Sequence, residues 1–403
     1  MLLAIKYTVA LPRAIMRIVD IREVTINLNG GVSNAIINFH KHTVSLVALI
    51  SDQFSNGKPI VGFGFNSIGR FAQGGILRER ILPRLAEIAP EKLVNSSGCG
   101  FNPGALAQIA MKNEKPGGHG DRAGAVAALE LAAWDLNAKL LGEPAYKTLR
   151  RHFDVAESGV SIPVYAAGGY YYPKDSTKRL NDELRRYQEL GYRLFKIKVG
   201  GGELREDIPR IEAALTIAGC GDKIAVDANG RFELQEALTM AAAIEPYKLR
   251  WFEEPGDPLD FDLNRILIES YSGCVATGEN LFSLMDSKNL MRFGGMRLGK
   301  DIFQMDPGLG YGVTEYHRIL KALEEFGFQR KQCYPHGGHL INLHLALGLG
   351  LGGCEAYPEV FQPIGGYSAQ CSLVDGKISP SDAPGFGLEQ KQELYPLMCE
   401  LVN

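Results

Sequence analysis

The chain has 403 residues, 45% hydrophobic and 22% charged, ordinary proportions for a globular protein with a sizeable core. A formal net charge of −3 gives no basis for nucleic acid or an anionic membrane as partner, so an anionic ligand would need a local site. Seven scattered cysteines without a C-x-x-C pair argue against a disulfide framework or a zinc site, and no apolar run is long enough to span a bilayer; both point to a cytoplasmic protein.

Residues 1–15 read as an extension, because a fresh start at Met16 leads directly into a strand pattern. Strands are expected over 18–28, 43–50 and 61–65, separated by Asn29-Gly30-Gly31 and Asn56-Gly57-Lys58-Pro59. Helical patterns follow over 75–89, 104–110 and 123–141, the last capped by Asp121 and closed by Gly142 and Pro144. Residues 1–150 thus form an expected α+β domain. From 151 to 362 apolar strands alternate with amphipathic helices, with strand starts near Val164, Leu194, Ile224, Arg250, Val275, Ile302, Gln332 and Cys354. That rhythm is an α/β fold, a (β/α)7β variant of the TIM barrel. Residues 363–403, rich in Gly and Pro, are expected to pack back on the first domain.

Several barrel segments end in a charged residue: Phe195-Lys196-Ile197-Lys198, Ala225-Val226-Asp227, Trp251-Phe252-Glu253-Glu254, Ala276-Thr277-Gly278-Glu279 and Cys333-Tyr334-Pro335-His336. The carboxylates are evenly spaced, 26 residues from 227 to 253 and 26 from 253 to 279; Asp306 follows after 27 and His336 after 30. Such barrels keep their chemistry at the C-terminal ends of the strands. Lys196 and Lys198, two apart, share one face, where mutual repulsion and burial would depress their pKa values and suit one of them to be a general base. A Lys-x-Lys match alone is far more often a pair of solvated lysines on an edge strand.

Asp227, Glu253 and Glu279 would repel unless a hard cation sat among them, and three oxygen ligands with open positions suit Mg²⁺. The absence of His and Cys from these segments disfavours zinc. Pleating sends Glu254 to the face opposite Glu253, so only one of the two should reach the site, whereas Asn229 shares the face of Asp227. Each acid singly is more often a cap or a surface residue; their even spacing is what singles them out. His336 with Asp306 suggests an oriented proton donor or acceptor, with His339 as a competitor. Gly348-x-Gly350-x-x-Gly353 matches a dinucleotide fingerprint only formally, since it follows a helix-like run and opens no suitable helix.

From Met16 to the end, these motifs together resemble the enolase superfamily, in the subgroup typified by mandelate racemase, where a lysine or histidine base works with Mg²⁺. The resemblance implies an α+β capping domain on the barrel and one Mg²⁺ on Asp227, Glu253 and Glu279. It makes Lys198 the base, with Lys196 supporting the substrate carboxylate, and the Asp306–His336 dyad the acid. Within the subgroup the chain is similar to the D-tartrate dehydratases at Gly64-Phe65-Asn66-Ser67, 113–120, 165–172, 278–283 and Pro335-His336-Gly337-Gly338-His339. By that likeness Asn34, Asn66, Lys115, Tyr170 and Glu355 contact substrate beside Lys196 and Asn229. Ser33 departs from the pattern, which leads one to expect arginine. The implied reaction is dehydration of a hydroxy dicarboxylic acid, D-tartrate to oxaloacetate and water, in a homo-oligomer without nucleic-acid or membrane partners.

Other readings are dehydration of another acid sugar, an aldarate or aldonate, and racemisation within the same superfamily. A Schiff-base or pyridoxal-phosphate barrel using either lysine has no need of three converging acids. A non-catalytic binding protein would lack the α-proton exchange that a working base supports.

Overall fold

The computed structural model describes residues 15–28, 31–157, 159–172 and 176–403. Nearly all of the expected extension over 1–15, and Asn29 and Gly30 of the first turn, lie outside the described residues. Three strands, β1 (Ile18–Asn27), β2 (Thr43–Ser55) and β3 (Lys58–Phe65), form an antiparallel sheet with β2 in the centre. The β2–β3 hairpin is longer than expected. Asn56 and Gly57, with φ of 50° and 76°, make the whole turn, as a two-residue hairpin of this hand requires. Lys58 and Pro59 therefore join β3, an edge strand on which a missing N–H is tolerated.

Helix Asp121–Leu141 lies across β2 and β3 and is buried on almost every side, so it shows little amphipathic contrast. Its approach depends on Gly64, where a Cβ would stand 2.4 Å from the Ala128 carbonyl oxygen. The expected cap is corrected: Gly120 occupies the N-cap and Asp121 lies in the first turn, where its charge still suits the helix dipole. The helix expected over 75–89 begins at Gln73 and ends at Ala86, with a π-turn over Leu77–Ile81 next to Pro83, which has no N–H to give the preceding turn.

Six parallel strands follow, β4 (Ile162–Ala167), β5 (Phe195–Lys198), β6 (Ile224–Asp227), β7 (Trp251–Glu253), β8 (Val275–Thr277) and β9 (Ile302–Phe303), each succeeded by a helix. The strand expected at Gln332 is reduced to a bridge between Cys333 and Phe303, because a 3₁₀ turn precedes it and Pro335 cannot donate to a ladder. After helix Leu340–Gly348, β10 (Cys354–Ala356) pairs with β4 and closes the barrel. A hairpin of β11 (Ser372–Val374) and β12 (Lys377–Ser379) adds to β4 in the antiparallel sense.

Buried carboxylates join the two halves. Glu130 of the long helix accepts from the N–H groups of Val313 (2.9 Å) and Thr314 (3.0 Å) at the start of helix Val313–Glu325. Asp135 accepts from the N–H of Phe63 (2.8 Å) and of Phe386 (2.7 Å). Helix Tyr395–Val402 lies against β1 and β2, where Arg22 Nη1 donates to Leu401 O at 3.1 Å. No described helix is long and apolar enough to cross a membrane.

Candidate active site

Strand register sets three site residues at one level: Lys198 pairs across from Asp227, and Asp227 from Glu253. All point into the barrel with Lys196, one layer below. Lys196 Nζ stands 2.5 Å from Glu253 Oε1, 2.8 Å from Glu355 Oε1 and 3.5 Å from Asp227 Oδ2. Lys198 Nζ donates to Asp227 Oδ2 and lies over the Tyr170 ring, 5.4 Å from its centroid. The expectation that the two ammonium groups depress each other is corrected for Lys196. Burial does disfavour its charge, but Glu253 and Glu355 outweigh it and hold the pKa well above the ordinary lysine value. Asp227 is pulled down to about 2, the two lysines prevailing over its burial. Asn229, at φ 50°, donates its backbone N–H to Asp227 Oδ1 at 2.9 Å.

Glu253 Oε2 accepts from Trp251 Nε1 and Gln304 Nε2, each at 2.8 Å. Burial, then repulsion from Asp227, pushes Glu253 up to about 8, with Glu279 adding to the effect and Lys196 opposing it. The expected division between Glu253 and Glu254 fails. Glu254 has φ 38°, a left-handed turn that breaks the pleat just past β7 and brings its carboxyl to the same cavity. There Asn280 Nδ2 donates to both its oxygens, at 2.9 and 3.2 Å, and burial followed by the charge of Glu279 raises its pKa. Arg70, which sequence reasoning passed over, donates from Nη2 to Asn280 Oδ1 at 2.9 Å and lies over the Phe282 ring. Among the described residues it pairs with no carboxylate.

On the opposite side His336 Nδ1 is 3.1 Å from Asp306 Oδ2, and Nε2 is 3.0 Å from the Tyr357 hydroxyl and 3.7 Å from Glu279 Oε2. Burial works against the imidazolium, but Glu279, the Asp306 hydrogen bond and Glu355 overcome it and raise the pKa to about 10. Asp306 is fixed in turn by Gly308 N (2.7 Å) and Asn342 Nδ2 (3.0 Å). Gly337, at φ 92°, leaves room for this packing: a Cβ there would come within 2.8 Å of Asp306 Oδ2. His339 is separated from His336 by its bonds. It accepts from Asn342 N at its N-cap, contacts Ser67 Oγ at 2.8 Å, and burial lowers it to about 4, which leaves it neutral.

Asn34, Tyr170, Lys198, Asn229, Glu279 and His336 line one cavity of about 570 Å³, together with Glu254, Arg70 and Tyr357. Lys196, Asp227, Glu253, Asp306 and Glu355 are buried among or beneath the lining residues and reach it through their bonds. Glu355 is engaged by Lys196 and by Gly337 N at 2.9 Å. Two expected substrate contacts stand elsewhere. Asn66 is fully buried and bonded to the backbone of Ser45, Ser67 and Arg70. Lys115 is exposed on the surface, outside the cavity lining. A larger cavity of about 750 Å³ between helices Leu204–Ala218 and Leu234–Ile244 contains none of the expected residues.

Five carboxyl groups, Asp227, Glu253, Glu254, Glu279 and Glu355, gather around two ammonium groups, Lys196 and Lys198. That excess of acidic groups, two of them pushed toward the neutral form for want of a counter-charge, in an all-oxygen donor set fits a hard divalent cation. Among the described residues no three acids, histidines or cysteines are drawn around one point, because Asp227 and Glu253 are turned onto the lysines.

The family model described as enolase C-terminal domain-like matches residues 179–394. Arabinonate dehydratase of Saccharolobus solfataricus is 30% identical over 267 residues, 65% of this chain and 68% of that one. L-talarate/galactarate dehydratase of Salmonella typhimurium is 28% identical over 363 residues, 88% and 84% of the two chains. The crystal structure of that enzyme aligns with a TM-score of 0.72 at 22% identity, over 95% of this chain and 93% of the other. A racemase from Streptomyces coelicolor with bound magnesium aligns with a TM-score of 0.73 at 22% identity, over 96% and 99%. Barrel, capping sheet and matched sequence agree: the chain belongs to the enolase C-terminal domain-like family of the enolase superfamily.

Proposed function

We propose that the protein is an Mg²⁺-dependent dehydratase of a hydroxy dicarboxylic acid, D-tartrate, which it converts to oxaloacetate and water. The observation that carries this reading is that Lys198 and His336 line one cavity, a lysine on one side of it and a histidine oriented by Asp306 on the other. Asp227, Glu253 and Glu279 are the residues that would hold the cation, which supplies positive charge beside the substrate carboxylate.

Lys198 is bound to Asp227, so it must leave that carboxylate and be uncharged before it can act. Its Nζ then takes the α-proton, and the C–H electron pair moves into the adjoining carboxylate as an enediolate. Lys196, fixed by Glu253 and Glu355, stays cationic beneath that carboxylate. As the electrons return, the C–O bond of the β-hydroxyl breaks and Nε2–H of His336 protonates the departing oxygen, which leaves as water. The enol tautomerises to oxaloacetate.

Arabinonate and galactarate dehydratases among the relatives favour a second reading, dehydration of a longer acid sugar. Arg70 supports the diacid. Among the described residues it is a cavity cation with no carboxylate partner, set apart from the lysines, and it suits the carboxylate remote from the base, which a diacid has and an aldonate lacks. The test is to incubate the purified protein and Mg²⁺ with tartrate stereoisomers, galactarate and arabinonate and follow the 2-oxo acid formed. D-tartrate should give stoichiometric oxaloacetate; dehydration of galactarate or arabinonate with D-tartrate untouched would replace this reading with the second.

A further inference from the structure

His336 is held at both ring nitrogens, and the partner at Nε2 is the one that bears on its reactivity. Two oxygens lie near that nitrogen: the Tyr357 hydroxyl at 3.0 Å and Glu279 Oε2 at 3.7 Å. Glu279 is one of the acids that would hold the cation, so the Tyr357 hydroxyl is the partner left to set the direction of Nε2, and a ring without it would be free to tilt. Tyr357 is placed to prevent this. It is 3% exposed, its ring packs edge-on against Phe361 with centroids 5.0 Å apart, and its N–H donates to Gly338 O at 3.3 Å. Two residues earlier, Glu355 accepts from Gly337 N at 2.9 Å. The last strand of the barrel therefore fixes both the ring of His336 and the backbone beside it.

We infer that Tyr357 is a positioning residue for proton delivery. Its hydroxyl fixes the ring of His336 with Nε2 at the cavity, so that the acid is aimed at the departing hydroxyl. This rests on the reading of His336 as the acid. In the step itself the β-carbon–oxygen bond breaks, the oxygen keeps the electron pair and takes the Nε2 proton, and His336 is left neutral. Tyr357 remains a phenol throughout.

The test is Tyr357→Phe, which keeps the ring and its packing. In D₂O with Mg²⁺ and D-tartrate, kcat for dehydration should fall about tenfold to a hundredfold, the loss expected for one hydrogen bond to a charged group. KM should change little. The ratio of deuterium exchange into unreacted substrate to dehydration should rise by a similar factor, because Lys198 is untouched. An unchanged ratio, with both rates intact or both reduced together, overturns the inference. A second measurement does not depend on substrate: in crystal structures of the two proteins the His336 ring should keep its place against Tyr357 in the wild type and turn away from it in Tyr357→Phe. If D-tartrate proves inert, this arm still decides whether Tyr357 holds the ring. An identical ring position in both proteins overturns it.

Discussion

Along β5, β6 and β7 the ionisable groups of the cavity are bound to one another and to Glu355, whereas His336, beyond the Cys333 bridge, is aimed into it. Lys196 is held by Glu253 and Glu355, and Lys198 by Asp227. Across the cavity Asp306, His336 and Tyr357 stand in a line of hydrogen bonds with the ring already oriented. Breaking a buried ion pair costs several kcal/mol, about 3–5, unless another charge takes the partner's place. The lysine side is therefore a resting arrangement that a cation and an anionic substrate must replace, and the histidine side is ready beforehand.

The largest effect should come from the residue that adjoins both sides. Among the described residues Glu279 is held by no lysine, yet it faces His336. Glu279→Gln should abolish Mg²⁺ binding in calorimetry and lower turnover by about a thousandfold or more, with the melting temperature little changed. Intact Mg²⁺ affinity would mean that the acids on the lysine side hold the cation without it.

A smaller effect is expected at the substrate's far end. Arg70→Ala should reduce kcat/KM for D-tartrate about tenfold to a hundredfold and leave a monocarboxylic acid sugar unaffected. Lys115→Ala should change it by less than about threefold, because an exposed charge contributes little. The reverse order would place the remote carboxylate at the surface loop.

Smallest should be the effect of pH on folding of the metal-free protein, read as melting temperature. His336 has a pKa raised from 6.5 to about 10, so the stability it contributes is full below 6.5 and is lost as pH rises through about 10. His339 and His344 are depressed by burial to about 4 and about 3; their contribution is full above 6.5 and is lost as pH falls. His336→Asn should flatten the alkaline decline and leave the acid one in place. An unaltered alkaline limb would show that the ring is not charged before metal binds.

The parts of the site that are legible in the sequence are those that strand geometry places. The alternation of Lys196 and Lys198 and the register from Lys198 to Glu253 follow from β-pleat and barrel repeat, and both are seen. What escaped lies just beyond strand ends. Glu254 turns inward through a left-handed backbone that no pleat rule anticipates. Arg70 is placed by a loop anchored through Ser67 to Gly308 and His339, contacts 241 and 272 residues away in sequence (67 to 308, 67 to 339). Tyr357 had a signal, since it stands two residues after Glu355 and so on the same face. Lys115 shows the converse: a motif placed it near substrate, but it lies exposed on an irregular loop.

The account turns on a base and an acid working from opposite sides, and deuterium exchange separates them most directly. Lys198→Ala and His336→Asn would each be incubated with Mg²⁺ and D-tartrate in D₂O and followed by NMR. The prediction is that His336→Asn exchanges the α-hydrogen without forming oxaloacetate, and that Lys198→Ala does neither. Wild-type exchange in Lys198→Ala, or undiminished oxaloacetate formation by His336→Asn, would contradict it.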